Sequence, residues 1–160
     1  MAIDGVKIID SDQGYDIYNE VVGRYRDGEQ VTNIIKDILD EEKDYCQTDF
    51  FTEIYWTALA YSLWKIGHLT DDIRDKTLEL IKKGPDPFWS KIDSKALNQR
   101  QKVLEKLAVQ LQTENLRPLK VPKAKAKRKP YFEEGDILAV KFQDEYGLVF
   151  VSMVEQSPRK

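Results

Sequence analysis

Few side chains in this sequence could do covalent chemistry, and each stands apart from the partners that chemistry needs. His68 is the only histidine. It follows Gly67 at the end of an apolar helical run, so a polar residue closing a helix is favoured over a general base or a ligand. Cys46 is the only cysteine, has no base beside it, and reads as a structural thiol. That count alone excludes an intrachain disulfide and a cysteine-based zinc site. The chain contains no Gly-rich phosphate loop, no Gly-x-Ser-x-Gly and no His-Glu-x-x-His. No catalytic residue, metal site or cofactor is expected, and the protein is read as a non-enzyme that works by binding.

Two charge constellations remain. Asp37, Asp40, Glu41, Glu42 and Asp44 outnumber Lys36 and Lys43 along one short stretch. They lack the alternating spacing and central glycine of a calcium loop. They form either a solvated helix face or an electrostatic surface for a basic partner, since complementary charge speeds and orients association. The second constellation is basic: residues 115–131 hold seven Lys or Arg, three prolines and no acid. Such a run neutralises phosphates in nucleic-acid binders, and Tyr131 with Phe132 could stack on bases. Against that reading, the isoelectric point is about 5.3. A solvated linker, or one docked on an acidic face, is preferred.

The elements that must carry these residues follow from periodicity. A short apolar opening (Val6, Ile8, Ile9) precedes a helix over about Asp12–Arg26, with Tyr15, Tyr18, Val21, Val22 and Tyr25 in helical spacing. Gly28 breaks it. A second helix is expected over about Glu29–Tyr45, its stripe Val31, Ile34, Ile35, Ile38 and Leu39 opposite the acids. The third starts at a Thr48 or Asp49 cap, keeps Glu53 near its positive end, and is apolar on nearly every face through Ile66. It should be the central helix. A fourth, Asp71–Lys83, begins with acids, finishes with lysines and stops at Gly84-Pro85-Asp86-Pro87. Phe88 and Trp89 should dock the following loop, and a fifth helix covers about Ser94–Thr113.

Prolines and like charges make 115–131 a linker. Phe132–Phe142 and Tyr146–Val154 then alternate as strands around Gln143-Asp144-Glu145, with Gly135 serving backbone geometry and Asp136 the turn. A lone hairpin is marginal in water, so this one must pack on the helices, pair with another chain, or open a longer β domain. The expected fold class is α+β: an N-terminal bundle of about five helices over 1–114, a Lys/Pro-rich linker over 115–131, and a C-terminal β-hairpin or partial β-barrel over 132–160.

Composition sets the class. Of 160 residues, 41% are hydrophobic and 33% charged, ample for a core beneath a heavily charged surface. Residues 1–114 carry net −7 and residues 115–160 net +4, an asymmetry that points to two working surfaces. Neither a spanning segment nor a secretory leader is expected, so no membrane role is assigned and the cytoplasm is the default.

Two stretches carry a resemblance. Phe50–Ile81, with its Trp64-Lys65-Ile66-Gly67-His68-Leu69 ending and the Gly84-Pro85-Asp86 break beyond, resembles a helical domain common in bacterial proteins. Arg100–Leu107 looks like that domain's final helix. Phe132-Glu133-Glu134-Gly135-Asp136-Ile137-Leu138-Ala139 is similar to the Phe-x-x-Gly-Asp opening of a β-rich immunity-protein domain of bacterial polymorphic toxin systems. That domain continues through further strands, whereas the β part here stops soon after Val154. The two stretches span roughly residues 12–151. The resemblance implies a cognate protein toxin as partner and carries over no catalytic residue; the acidic face suits a toxin that is basic because it cuts nucleic acid, a basic nuclease. The function expected is immunity, with Asp37, Asp40, Glu41, Glu42 and Asp44 as toxin-binding candidates; the alternative is a nucleic-acid-associated or regulatory protein using the basic linker.

Overall fold

The computed structural model describes residues 3–122 and 131–154. Lys123–Pro130, the most basic part of the expected linker, lies outside the described residues. The chain divides into two compact units, Met1–Pro122 and Lys123–Lys160. Helices make up the first and a two-stranded sheet the second, an α+β content.

In the first unit the helices are α1 (Asp12–Arg26), α2 (Val31–Asp40), α3 (Glu42–Tyr45), α4 (Asp49–Ile66), α5 (Asp71–Lys83), α6 (Trp89–Ile92) and α7 (Ala96–Leu111). α4 is central. Thr48 caps its N-terminus by accepting from the Phe51 N–H. Ile54, Tyr55, Trp56, Ala58, Leu59, Leu63 and Ile66 are buried in it, and α1, α5 and α7 pack around it. Trp64 and Tyr61 are only half-buried. Buried hydroxyls are satisfied locally: Tyr55 donates to the Ile38 carbonyl at 2.6 Å, and Thr77 to the Ile73 carbonyl at 2.7 Å. Among the described residues no helix is long and apolar enough to cross a membrane.

Three local details differ from the periodicity. In α1 the buried face is Gln13, Gly14, Ile17, Val21 and Val22, while Tyr15 points to solvent and Tyr18 and Tyr25 sit at the margin. The second helix is two. α2 ends at Asp40, and Glu41 turns the chain through φ −88°, ψ −2° before the single turn of α3. A run of acids is unfavourable at the negative end of a helix, which helps explain the break. After the Pro85–Pro87 stop, Trp89 opens the short α6 and is 1% exposed, whereas its neighbour Phe88 is exposed.

α4 ends in a Schellman-type arrangement. Gly67 adopts φ +76°, its N–H donates to the Trp64 carbonyl, and the His68 N–H donates to the Leu63 carbonyl at 2.9 Å. Residues 113–119 complete this end. Asn115 Nδ2 and the Leu119 N–H donate to the Lys65 carbonyl, and Trp64 Nε1 donates to the Thr113 carbonyl at 2.7 Å. The stretch read as the start of the linker thus supplies partners for carbonyls that a helix end leaves open. Pro118 lies so close that a Cβ on Gly67 would stand 2.9 Å from its Cβ.

The second unit is an antiparallel hairpin of β1 (Ile137–Phe142) and β2 (Glu145–Phe150). Phe142 pairs with Glu145, so the loop is Gln143-Asp144 alone and Glu145 belongs to the strand. Gln143 adopts φ +55°, as the first loop position of tight hairpins often demands. Upstream, Asp136 N–H donates to the Glu133 carbonyl, Glu133 N–H to Asp136 Oδ2, and Gly135 takes φ +95°. Gly135 N–H donates to the Val151 carbonyl and Val151 N–H to the Asp136 carbonyl, the pattern of a glycine bulge at the strand entry. Gly135 and Asp136 therefore serve the turn and bulge geometry.

Candidate interaction site

The acidic candidates sit where α1, α2 and α3 meet, and tertiary contacts sort them into two groups. Asp37 is engaged within the fold: with Glu20 and Glu29 it surrounds the Arg24 guanidinium. Hydrogen bonds that the guanidinium donates to Glu29 first, then to Asp37, hold Arg24 above its ordinary range, and Arg24 in turn holds the Glu29 carboxyl below the usual carboxylate range. Glu42 is engaged as well. It accepts from Trp56 Nε1 at 3.2 Å and from Lys76 Nζ at 3.0 Å, and that ammonium lies 3.6 Å from the centre of the Trp56 ring. The cluster latches α3 to α4 and α5.

Asp40, Glu41 and Asp44 are exposed and carry no side-chain hydrogen bond or ion pair among the described residues. Around Tyr45 they gain company from α1. Burial chiefly pushes the Tyr45 phenol up, and Glu41, Glu20, Asp16 and Asp44 push it further by opposing a second negative charge. Carboxylates of α1 and of the α2–α3 corner thus converge on one half-buried ring, which itself packs 5.9 Å from Tyr55. Sequence spacing placed the acids on one helix face; it did not show that α1 adds Asp16 and Glu20.

No family model, curated protein or solved structure matches this chain.

His68 is exposed at the end of α4 with its ring edge-on to Tyr25 at 5.7 Å. Cys46 is half-buried, and burial pushes its thiol up, away from thiolate chemistry. Among the described residues no group of three His, Cys, Asp or Glu side chains could hold a metal ion.

The polar cluster that the sequence reading passed over lies inside the first unit. Glu53, whose position in the first turns of α4 suits the positive helix end, is 5% exposed and faces Arg100, which is 0% exposed. Arg100 Nε donates to Glu53 Oε1 at 2.7 Å, Nη1 to the Val6 and Lys7 carbonyls at 3.0 Å, and Nη2 to Thr57 Oγ1 at 3.2 Å. Glu53 also accepts from Trp89 Nε1 at 3.2 Å and from the Asp86 N–H at 2.7 Å. Burial lowers the Arg100 guanidinium from its ordinary value, and Glu53 opposes that shift. A cavity of about 210 Å³ opens beside Glu53, bordered by Thr52, Lys83 and Pro85. Both carboxylate oxygens already receive donors, so the arrangement is a clasp joining α4, α7, the N-terminal segment at Val6-Lys7 and the 84–89 loop. One signal could have found it: Arg100 is in phase with Ala96, Leu104, Leu107 and Leu111, a charge inside an apolar stripe.

Proposed function

We propose that this chain is an immunity protein that binds a basic bacterial toxin, such as a nuclease, in the cytoplasm through the acidic corner of α1, α2 and α3. One observation carries the reading: Asp16, Glu41 and Asp44 gather around Tyr45 with no counter-ion among the described residues, and exposed Asp40 lies beside them. Like charges held together without a partner raise the field at that surface and favour a cation-rich ligand. Asp37 and Glu42, occupied by Arg24 and Lys76, support the corner rather than contact the ligand. The resemblance of Phe132–Ala139 to the opening of a toxin-immunity domain supplies the kind of partner. Neutralisation of this sort requires a complementary surface and no catalysis.

The test is Asp40→Lys combined with Glu41→Lys, compared with wild type in pull-downs from the native host and in protection of toxin-expressing cells. Exposed acids contribute little to stability, so the melt should move by less than about 0.5 kcal/mol. The wild-type chain should capture a basic polypeptide and protect the cells, and the variant should lose both. Equal capture and protection by the two proteins would remove this corner from the interface.

A further inference from the structure

The hairpin leaves backbone groups and apolar side chains without partners among the described residues. Its two-residue loop makes Phe142 and Glu145 a hydrogen-bonded pair, and alternation makes Val140–Gly147 and Leu138–Val149 the next ones. The peptide groups of Ile137, Ala139 and Lys141 on β1, and of Tyr146, Leu148 and Phe150 on β2, therefore point outward. The two edges differ. β1 carries Lys141 at an outward position, a charge of the kind that blunts an edge. Past Glu145 at its first position, β2 and its continuation from Tyr146 to Met153 contain neither charge nor proline. Tyr146, Leu148 and Phe150 are 70%, 78% and 64% exposed. An uncharged edge of this kind is a template for another strand, and a two-stranded sheet is marginal without one.

We propose that β2 pairs antiparallel with β2 of a second copy about a two-fold axis at Leu148, forming a four-stranded sheet. The strand is self-complementary in that register. Leu148 lies opposite the partner subunit's Leu148, and Tyr146 opposite the partner subunit's Phe150, an aromatic cross-strand pair made twice. Glu145 falls opposite the partner subunit's Val151 and meets no like charge. Tyr146, Leu148 and Phe150 share a face with Lys141, Ala139 and Ile137, so the apolar row of Ala139 and Leu148 continues across the axis. At the ~150–250 Å² an aromatic side chain buries, the exposed parts of Tyr146 and Phe150 offer roughly 200–330 Å² per copy. Leu148 and the strand edge add to that, yet the contact stays below the roughly 800 Å² per partner of a standard interface. The dimer is weak and reversible, with a dissociation constant in the micromolar range.

Sedimentation velocity on the full chain, from about 1 to 500 μM, tests this through the mass-action dependence of association. Wild type should shift from monomer to dimer across that range. Leu148→Lys and Leu148→Glu each place like charges face to face at the axis, and each should stay monomeric. Leu148 is exposed, so both variants should keep the wild-type helical circular dichroism. An equimolar mixture of the two variants should associate again. A wild type that stays monomeric at every concentration overturns the proposal. So does a dimer insensitive to Leu148→Lys, or a mixture that fails to associate. Concentration-independent hydrogen-exchange protection of the Tyr146, Leu148 and Phe150 amides would place the edge under a cover from within the chain, and would overturn it too.

Discussion

Replacing Arg100 with methionine should be the most damaging single substitution among the buried polar side chains. The methionine fills much of the space but strips Glu53 of its only charged partner among the described residues. It also removes the donors that serve the Val6 and Lys7 carbonyls and Thr57 Oγ1. Glu53 is 5% exposed, so little water reaches it to compensate. Breaking a buried pair from one side costs ~3–5 kcal/mol. A domain of this size has a total stability of about 5–15 kcal/mol, so Arg100→Met consumes a large share of it. The double variant Glu53→Leu with Arg100→Met removes the stranded charge. It still leaves the Asp86 N–H, Trp89 Nε1 and two carbonyls short of partners, at about 1–3 kcal/mol for each group that stays dry. It should therefore recover part of the loss, and the two single effects should sum to more than the double. Urea unfolding followed by tryptophan fluorescence measures all three, with Trp89 a direct reporter because its ring lies 4.8 Å from the Arg100 guanidinium carbon. An Arg100→Met cost below about 1 kcal/mol at unchanged m-value, or additive single effects, would refute the clasp.

Leu63→Ala, at a fully buried position on α4, should cost ~2–5 kcal/mol in the same denaturant assay; a cost under ~1 kcal/mol would mean α4 is not central. Gly67→Ala should lose about 1–3 kcal/mol, because φ +76° disfavours a side chain and Pro118 blocks the added Cβ; an unchanged melt would argue against the observed packing of residues 113–119. Tyr45 should titrate above the ~10 of a free tyrosine when followed by ultraviolet absorbance, and Glu41→Gln with Asp44→Asn should bring it down. The folded state holds that proton more tightly than the unfolded chain. Its contribution to stability is therefore fully present below about pH 10 and is lost as pH rises through the folded pKa. An ordinary Tyr45 titration, unmoved by those substitutions, would dissolve the convergence of carboxylates on the ring.

Much of the helical unit was legible because its signals are local. The Thr48 cap, the near-continuous apolar run to Ile66 and the Gly67 stop define α4 within one or two residues. The Asp71–Lys83 helix and the Gly84–Pro87 stop are likewise written in neighbouring residues. Phase errors arose where periodicity is shared: Tyr15 is in step with Tyr18 and Val22 yet lies outside, since aromatic residues at the margin of a stripe satisfy the same spacing as the core. The second helix broke at Glu41 because Glu42 and Tyr45 reach partners on α4, which local spacing does not contain.

The sequence by itself determined the spans of α1, α4 and α5, the glycines that stop α1 and α4, and the β-hairpin with its polar loop, since each depends on residues a few positions apart. Tertiary structure alone decided which charges are paired. Glu53 and Arg100 stand 47 residues apart and become a buried pair only when α4 and α7 pack. Asp37 and Glu42 pair with Arg24 and Lys76, while Asp40, Glu41 and Asp44 have no ion pair among the described residues. The physical reason is range. Periodicity reports which face of an element is apolar, but a carboxylate's role depends on which cation folding brings within about 4 Å, and on how much water remains between them.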